Sequence, residues 1–221
     1  MTDVAANLER VRARIASAGG DPASIRIVAV TKGFSEDMIR AALAAGLTEI
    51  GENYAQEIIA KQTALRPATV HFIGRLQSNK IRGLAAHVSI WQSVDRPSLV
   101  DELARRAPGA TVLVQVNTSG EPQKGGCPPR EAPALVTRCR AKGLNAIGLM
   151  TIGRTGPPEA ARAGFAALTR LADELELPER SMGMTDDLEI AVAEGATIVR
   201  VGSALFGPRP PDGDQGKLGS P

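Results

Sequence analysis

Lys32 stands directly behind an almost unbroken apolar run, Ile25-Arg26-Ile27-Val28-Ala29-Val30-Thr31, and is followed by Gly33. A β-branched run of this kind reads as a strand covered on both faces, as in a parallel sheet packed by helices. Lys32 then sits at the carboxyl end of that strand, where α/β folds place their chemistry. An amine held there is partly desolvated, which favours its neutral, nucleophilic form and makes it a candidate for Schiff-base formation. Two more chemical groups stand near the other end of the chain. Gly183-Met184-Thr185-Asp186-Asp187 and Gly202-Ser203-Ala204-Leu205-Phe206-Gly207 combine glycine, which lets backbone N–H groups come close to a ligand, with hydroxyls at Thr185 and Ser203. Arg200 lies between Val199 and Val201, and a guanidinium inside an apolar strand needs a partner because an isolated buried charge is very costly. Plainer alternatives stand beside each reading: a solvated lysine at a strand end, a helix cap at Thr185, and an outward ion pair for Arg200.

The elements that must position these groups alternate along the chain. Leu8, Val11 and Ile15 among charged neighbours predict an amphipathic helix over 3–18, stopped by Gly19-Gly20. After the first strand, helices are expected over 36–45, 54–65, from 79, and over 97–107, 130–142, 158–176 and 187–194. Between them stand short apolar runs at 48–50, 70–73, 88–91, 111–116, 146–150, 181–184 and 197–201. Eight strands alternating with eight helices, the first helix preceding the first strand, describe a single (β/α)8 TIM-type barrel with an extra N-terminal helix. An open doubly wound sheet is the alternative, but no Gly-x-Gly-x-x-Gly follows the first strand. The expected barrel covers residues 1–207, and a loose Pro/Gly-rich tail covers 208–221.

In a barrel the informative residues follow the strands: Lys32, Asn53, Gly74-Arg75, Asp95, Asn117, Met150-Thr151, Met184-Thr185 and Gly202-Ser203 in order. Barrels often hold phosphate between the loops after strands seven and eight. An inward Arg200 would share a face with Ile198 and Gly202, because strand residues alternate. An amine, a phosphate cradle and an inward arginine together suit a phosphorylated aldehyde. Pyridoxal 5'-phosphate fits, with lysine to the aldehyde, arginine to the pyridine nitrogen and the two loops to the phosphate.

Composition narrows the classes. Hydrophobic residues make up 43% and aromatics only 3%, so the core must be built from aliphatic side chains. A net charge of +2 with scattered Lys and Arg, one Trp and one Tyr gives nucleic-acid binding little support. No apolar run approaches the roughly 20 residues that span a bilayer, and the N-terminus does not read as a signal peptide, so a cytoplasmic protein without membrane partners is expected. Cys127, Cys139, His71 and His87 have no metal-ligand spacing, and no metal is expected.

Six motifs stand in order: 28–32 (VAVTK), 51–57 (GENYAQE), 71–80 (HFIGRLQSNK), 148–150 (GLM), 181–187 (SMGMTDD) and 199–207 (VRVGSALFG). Together they resemble the pyridoxal phosphate homeostasis proteins, an alanine-racemase-like family, over about residues 4–207. The resemblance implies a barrel like the N-terminal domain of alanine racemase, with the cofactor carried as a Lys32 aldimine. It adds Asn53, Met150 and Met184 to Lys32, Thr185, Arg200, Gly202 and Ser203 as cofactor-binding residues. Thr185 and Ser203 stand where the family more often has Ser and Thr, and both swaps keep a hydroxyl. The resemblance carries no expectation for the Gly125-Gly126-Cys127 loop.

Three functions compete. In the first, the chain is a monomeric carrier that buffers pyridoxal phosphate and hands it to dependent apoenzymes. In the second it is an amino-acid racemase, which needs a second base opposite the lysine. The racemases of the resembling fold take a tyrosine from a further domain, whereas Tyr54 is the only tyrosine here. A donor-only arginine at the ring nitrogen also makes the cofactor a weak electron sink. In the third, Lys32 attacks a sugar phosphate directly, with Asp95 or Tyr54 as acid/base. The carrier is the preferred expectation.

Overall fold

The computed structural model describes residues 2–208. Of the tail expected over 208–221, everything from Arg209 on lies outside the described residues. The chain opens with helix α1 (Val4–Ser17), capped by Asp3, whose carboxylate accepts from the Ala6 N–H at 2.9 Å. Val4, Leu8, Val11 and Ile15 recur at helical spacing and are buried, so this face is pinned by the apolar effect.

Eight parallel strands then close a barrel in sequence order: β1 (Arg26–Val30), β2 (Glu49–Glu52), β3 (Thr69–Phe72), β4 (Ile90–Val94), β5 (Thr111–Gln115), β6 (Asn145–Met150), β7 (Glu179–Ser181) and β8 (Ile198–Val201). β8 returns to β1 in the register Ile27↔Val199, Val28↔Arg200, Ala29↔Val201. The helices in chain order are α2 (Glu36–Ala44), α3 (Ala55–Ala60), α4 (Gln62–Leu65), α5 (Ser78–Leu84), α6 (Pro97–Arg106), α7 (Ala132–Ala141), α8 (Arg162–Glu174), α9 (Leu188–Ala193) and α10 (Ser203–Phe206). The expected barrel with its extra N-terminal helix is therefore present, and α1 packs on α9 and α10 beside the β8–β1 seam.

The apolar residues form two layers. Between barrel and helices lies a large cluster that includes Ile27, Ala29, Ile39, Leu99, Phe165 and Val199. Inside the barrel is a small one of Val28, Ile90, Leu113, Met150 and Ile198. Alternate residues of β1 and β8 thus face opposite sides, as a period of two requires. Glycine makes room inside: a Cβ on Gly51 would lie 2.8 Å from Val28 Cγ1 and 3.1 Å from Ile73 Cδ1.

Several boundaries differ from expectation; the fourth strand runs over Ile90–Val94 instead of 88–91, taking in Ser93 and Val94. The helix expected over 54–65 is interrupted at Lys61, the residue whose side chain is turned inward to Thr31, Glu52 and Glu57. The seventh strand lies at Glu179–Ser181 instead of 181–184, because Gly183 adopts a φ of +90° that leaves the extended region. A short helix, α10, follows β8 directly where a loop was expected.

Candidate functional site

The site begins at the turn after β1. The Thr31 N–H bonds Gly51 O at 3.0 Å, the Thr31 hydroxyl donates to Glu52 at 2.7 Å, and the Gly33 N–H donates to Glu57 at 2.8 Å. Lys61 Nζ donates to Thr31 O and to Glu52, each at 3.0 Å, and to Glu57. A buried ion cluster behind the barrel wall therefore grips the turn from which Lys32 projects. Burial raises the Glu52 pKa, with Lys61 and Thr31 pulling the other way. Phe34 closes the turn against Phe206, with ring centroids 5.2 Å apart.

Arg200 points inward from β8 and is 4% exposed. Its guanidinium donates to Ser181 Oγ and to the Thr151 carbonyl, both at 2.8 Å. Burial pushes its pKa down to about 10, partly opposed by the Asp187 carboxylate, so it stays charged at neutral pH. Two of its five N–H donors are used in these bonds, which leaves others for a ligand. The outward ion pair is not what the strand adopts: neither of these partners is a helix carboxylate.

Beside Arg200, the loops after β7 and β8 meet. The Ser203 hydroxyl donates to Thr185 Oγ1 at 3.1 Å, and the Ala204 N–H reaches the same oxygen at 3.3 Å. Arg14 of α1 holds this loop from outside, through Thr185 O at 2.7 Å and Glu189 at 2.6 and 2.7 Å. Asp187 caps the Met184 N–H at 2.6 Å.

The Lys32 turn, Arg200 and the Thr185–Ser203 pair meet at one cavity of about 320 Å³ at the carboxyl end of the barrel. That volume is in the range of small-ligand sites, roughly 300–1,000 Å³. Lys32, Asn53, Met150, Met184, Thr185, Arg200, Gly202 and Ser203 all border it, so every residue expected to bind a cofactor is brought together. Phe34, Ile73, Ile152 and Asp186 border it too. Asp186 stood inside a stretch already singled out, while the other three were passed over; Phe34 and Ile152 stand two residues beyond Lys32 and Met150, so proximity in sequence was the available signal. Arg75 and Asp95, although placed after strands, do not line the cavity. Asp95 pairs with Arg96 at 2.6 Å, and Asn117 is used by its own loop, donating to Glu121 O at 2.9 Å. Tyr54 is 55% exposed and also lies off the lining.

The donor set suits a phosphorylated pyridine aldehyde. A half-buried lysine, a donor-only guanidinium and a hydroxyl pair face the same space, and Asn53 Oδ1 is buried with no hydrogen-bond partner among the described residues. A buried acceptor left unpaired is costly, so a ligand donor there would be favoured. The two thiols take no part: burial first, with nearby Asp95 and Glu131, pushes Cys127 up to about 12, and burial pushes Cys139 up to about 11.

Comparison with known proteins gives a consistent picture. Residues 1–210 match the model of the alanine racemase N-terminal domain. The chain is 44% identical over 223 residues to the pyridoxal phosphate homeostasis protein of Pseudomonas aeruginosa, covering 95% of this chain and 97% of that one. It is 36% identical over 229 residues to the protein of the same name from Escherichia coli, covering 95% and 98%. Among solved structures, PipY of Synechococcus elongatus with bound PLP superposes with a TM-score of 0.78 at 36% identity, over 89% of this chain and 100% of PipY. Clostridium difficile alanine racemase shares the fold at a TM-score of 0.71 and 13% identity, over 93% of this chain and 60% of the racemase.

Proposed function

Since the chain belongs to the pyridoxal phosphate homeostasis protein family, within the broader alanine racemase N-terminal domain family, we propose that it binds pyridoxal 5'-phosphate and buffers it for pyridoxal-phosphate-dependent apoenzymes. One observation carries the reading: the amine of Lys32, the Arg200 guanidinium and the Thr185–Ser203 hydroxyl pair border a single cavity. When bound, pyridoxal phosphate supplies an aldehyde that condenses reversibly with a primary amine and releases water. Lys32 is the amine. Thr185, Ser203 and the Gly202 backbone bind the phosphate, Arg200 donates to the ring nitrogen, and Asn53 orients the ring. Met150, 1% exposed, and Met184, 41% exposed, supply apolar lining.

Carriage is favoured over turnover by the chemistry of the lining. Racemisation needs a base on each face of the substrate carbon. Among the described residues bordering the cavity there is no tyrosine or histidine, and the one carboxylate, Asp186, is exposed at the rim. Arg200 holds only donors, so it cannot share a ring-nitrogen proton as a carboxylate would. We take residues 1–207 as one binding domain, acting as a cytoplasmic monomer. No helix among the described residues is long and apolar enough to cross a membrane.

The test is the absorbance spectrum of the protein with pyridoxal phosphate, before and after borohydride. Wild type should show a bound-cofactor absorbance band that borohydride bleaches, leaving the cofactor fixed on the Lys32 peptide. Lys32→Ala should fold and lack the band. Cofactor fixed to another lysine would refute the assignment. In deuterated water with alanine, slow or no α-proton exchange alongside donation to an apoenzyme is expected; rapid inversion dependent on Lys32 would make the protein a racemase instead.

A further inference from the structure

Three fully buried polar side chains lie inside the barrel and border no part of the cavity: His71 on β3, Gln92 on β4 and Ser181 on β7. An apolar filling would be the ordinary choice there, so each polar group needs an account. Together with Arg200 they form a continuous chain. Arg200 Nη1 donates to Ser181 Oγ at 2.8 Å, and Ser181 Oγ bonds Gln92 Oε1 at 2.6 Å. Gln92 Nε2 lies 2.7 Å from His71 Nδ1, and His71 Nε2 meets Glu49 Oε2 at the far end of the barrel. Glu49 also accepts from Arg26 at 2.8 Å.

The direction of every bond follows from the two ends. Arg200 can only donate, so Ser181 accepts from it and passes its single O–H to the Gln92 carbonyl. That orients the Gln92 amide with its NH2 toward His71, whose Nδ1 must then accept. The ring proton sits on Nε2 and is donated to the Glu49 carboxylate. Reversing one member leaves the Ser181 hydroxyl proton without an acceptor or sets two donors facing each other. The charged groups on this path are Glu49 beside His71, Arg26 beyond Glu49, and Arg200 at the other end.

We propose that His71, Gln92 and Ser181 are positioning residues that fix the orientation of the Arg200 guanidinium, and through it the ring of the bound cofactor. This rests on the pyridoxal phosphate reading given above. Ser181 and the Thr151 carbonyl hold the guanidinium at two nitrogens, which sets its plane as well as its place. Thr151 is itself held, its hydroxyl donating to Val116 O at 2.8 Å, so both anchors belong to the barrel frame. The donors left over on Arg200 therefore keep one heading toward the cavity.

The experiment compares full-length wild type, Gln92→Leu and Gln92→Glu, each cofactor-free and loaded with pyridoxal phosphate. Nitrogen-15 NMR of cofactor-free wild type should show His71 with its proton on Nε2 and Nδ1 accepting. A glutamate at position 92 accepts from both neighbours, so His71 in Gln92→Glu should be doubly protonated while Arg200 keeps its wild-type signals. In Gln92→Leu the Arg200 Nη–H signals should broaden, and the pH midpoint of the bound-cofactor absorbance should move. Release of the cofactor should be about threefold to tenfold faster, the span of one buried hydrogen bond. Gln92→Glu should restore both cofactor readouts. A wild-type proton on His71 Nδ1, or a Gln92→Leu protein matching wild type in Arg200 signals, spectrum and release, would overturn the proposal. Should Gln92→Leu fail to fold, the wild-type tautomer and the His71 charge in Gln92→Glu decide. Failure of wild type to take up pyridoxal phosphate would sink the functional reading, while the NMR comparison still judges the chain.

Discussion

The layer outside the barrel and the space inside it are built from different chemistry. Outside, Ile39, Leu99, Leu103, Phe165 and Leu168 are buried without a polar atom among their side chains. Inside, the small apolar cluster of Val28, Ile90, Leu113, Met150 and Ile198 shares its space with His71, Gln92, Ser181 and Arg200. The outer layer stabilises by area removed from water, which is non-directional and tolerates repacking. The inner space holds groups whose value depends on direction, and it gives up apolar burial to do so. Stability and cofactor geometry are thus largely separated across the barrel wall; the exception is the Thr31–Glu52–Lys61 cluster, which sits outside it and holds the Lys32 turn.

Substitutions can test that separation. Phe165→Ala, in the outer layer, should cost about 3–5 kcal/mol of stability, read from denaturant unfolding. Below its unfolding transition the protein should still bind pyridoxal phosphate with unchanged affinity. Arg200→Met should act chiefly on binding. The Ser181 hydroxyl and the Thr151 carbonyl lose their donor, which costs about 1–3 kcal/mol, and relief of the buried charge offsets part of it, so stability should fall less than in Phe165→Ala. Affinity should fall by the worth of a charged hydrogen bond, about 1.5–3 kcal/mol. An Arg200→Met protein that unfolds far below wild type would break the comparison.

Thr185→Val keeps shape and removes one phosphate donor, and should weaken pyridoxal phosphate binding by about 0.5–1.5 kcal/mol. Pyridoxal without the phosphate should be indifferent to this change, which equilibrium titration of both aldehydes would show.

The smallest effect concerns the far end of the interior. Burial alone would raise the Glu49 pKa, but hydrogen bonds from His71 and Arg26 outweigh it and hold the carboxyl below 4.5. A carboxyl with a depressed folded pKa adds stability above its unfolded value and loses it as pH falls through the folded one. The gap in thermal midpoint between wild type and Glu49→Gln should therefore be full at pH 7 and shrink below about pH 4.5. A gap that widens in acid would contradict the assignment.

Much of this was legible in the chain. Apolar runs of the right length marked the strands, because burial on both faces of a parallel sheet leaves little choice of residue. Lys32, Arg200, Thr185 and Ser203 were readable because each is a polar group placed where a strand or its end should be apolar or tightly turned. Less visible was which strand end faces which. Arg75, Asp95 and Asn117 follow their strands as Lys32 does, yet Arg75 is exposed to solvent and the loops of the other two turn them to other partners. The break at Lys61 was hidden too, since the ion cluster with Glu52 and Glu57 forms only once β2 and α3 are brought together.

By itself the sequence determined the alternation of elements, the closed parallel architecture and the types of group at the mouth, since local pattern and burial act over a few residues at a time. The tertiary structure alone decided that Ser181, Gln92 and His71 stand in line between Arg200 and Glu49. Period-two alternation says that a side chain points inward. Only closure of the barrel, with its stagger between strands, says what it meets there.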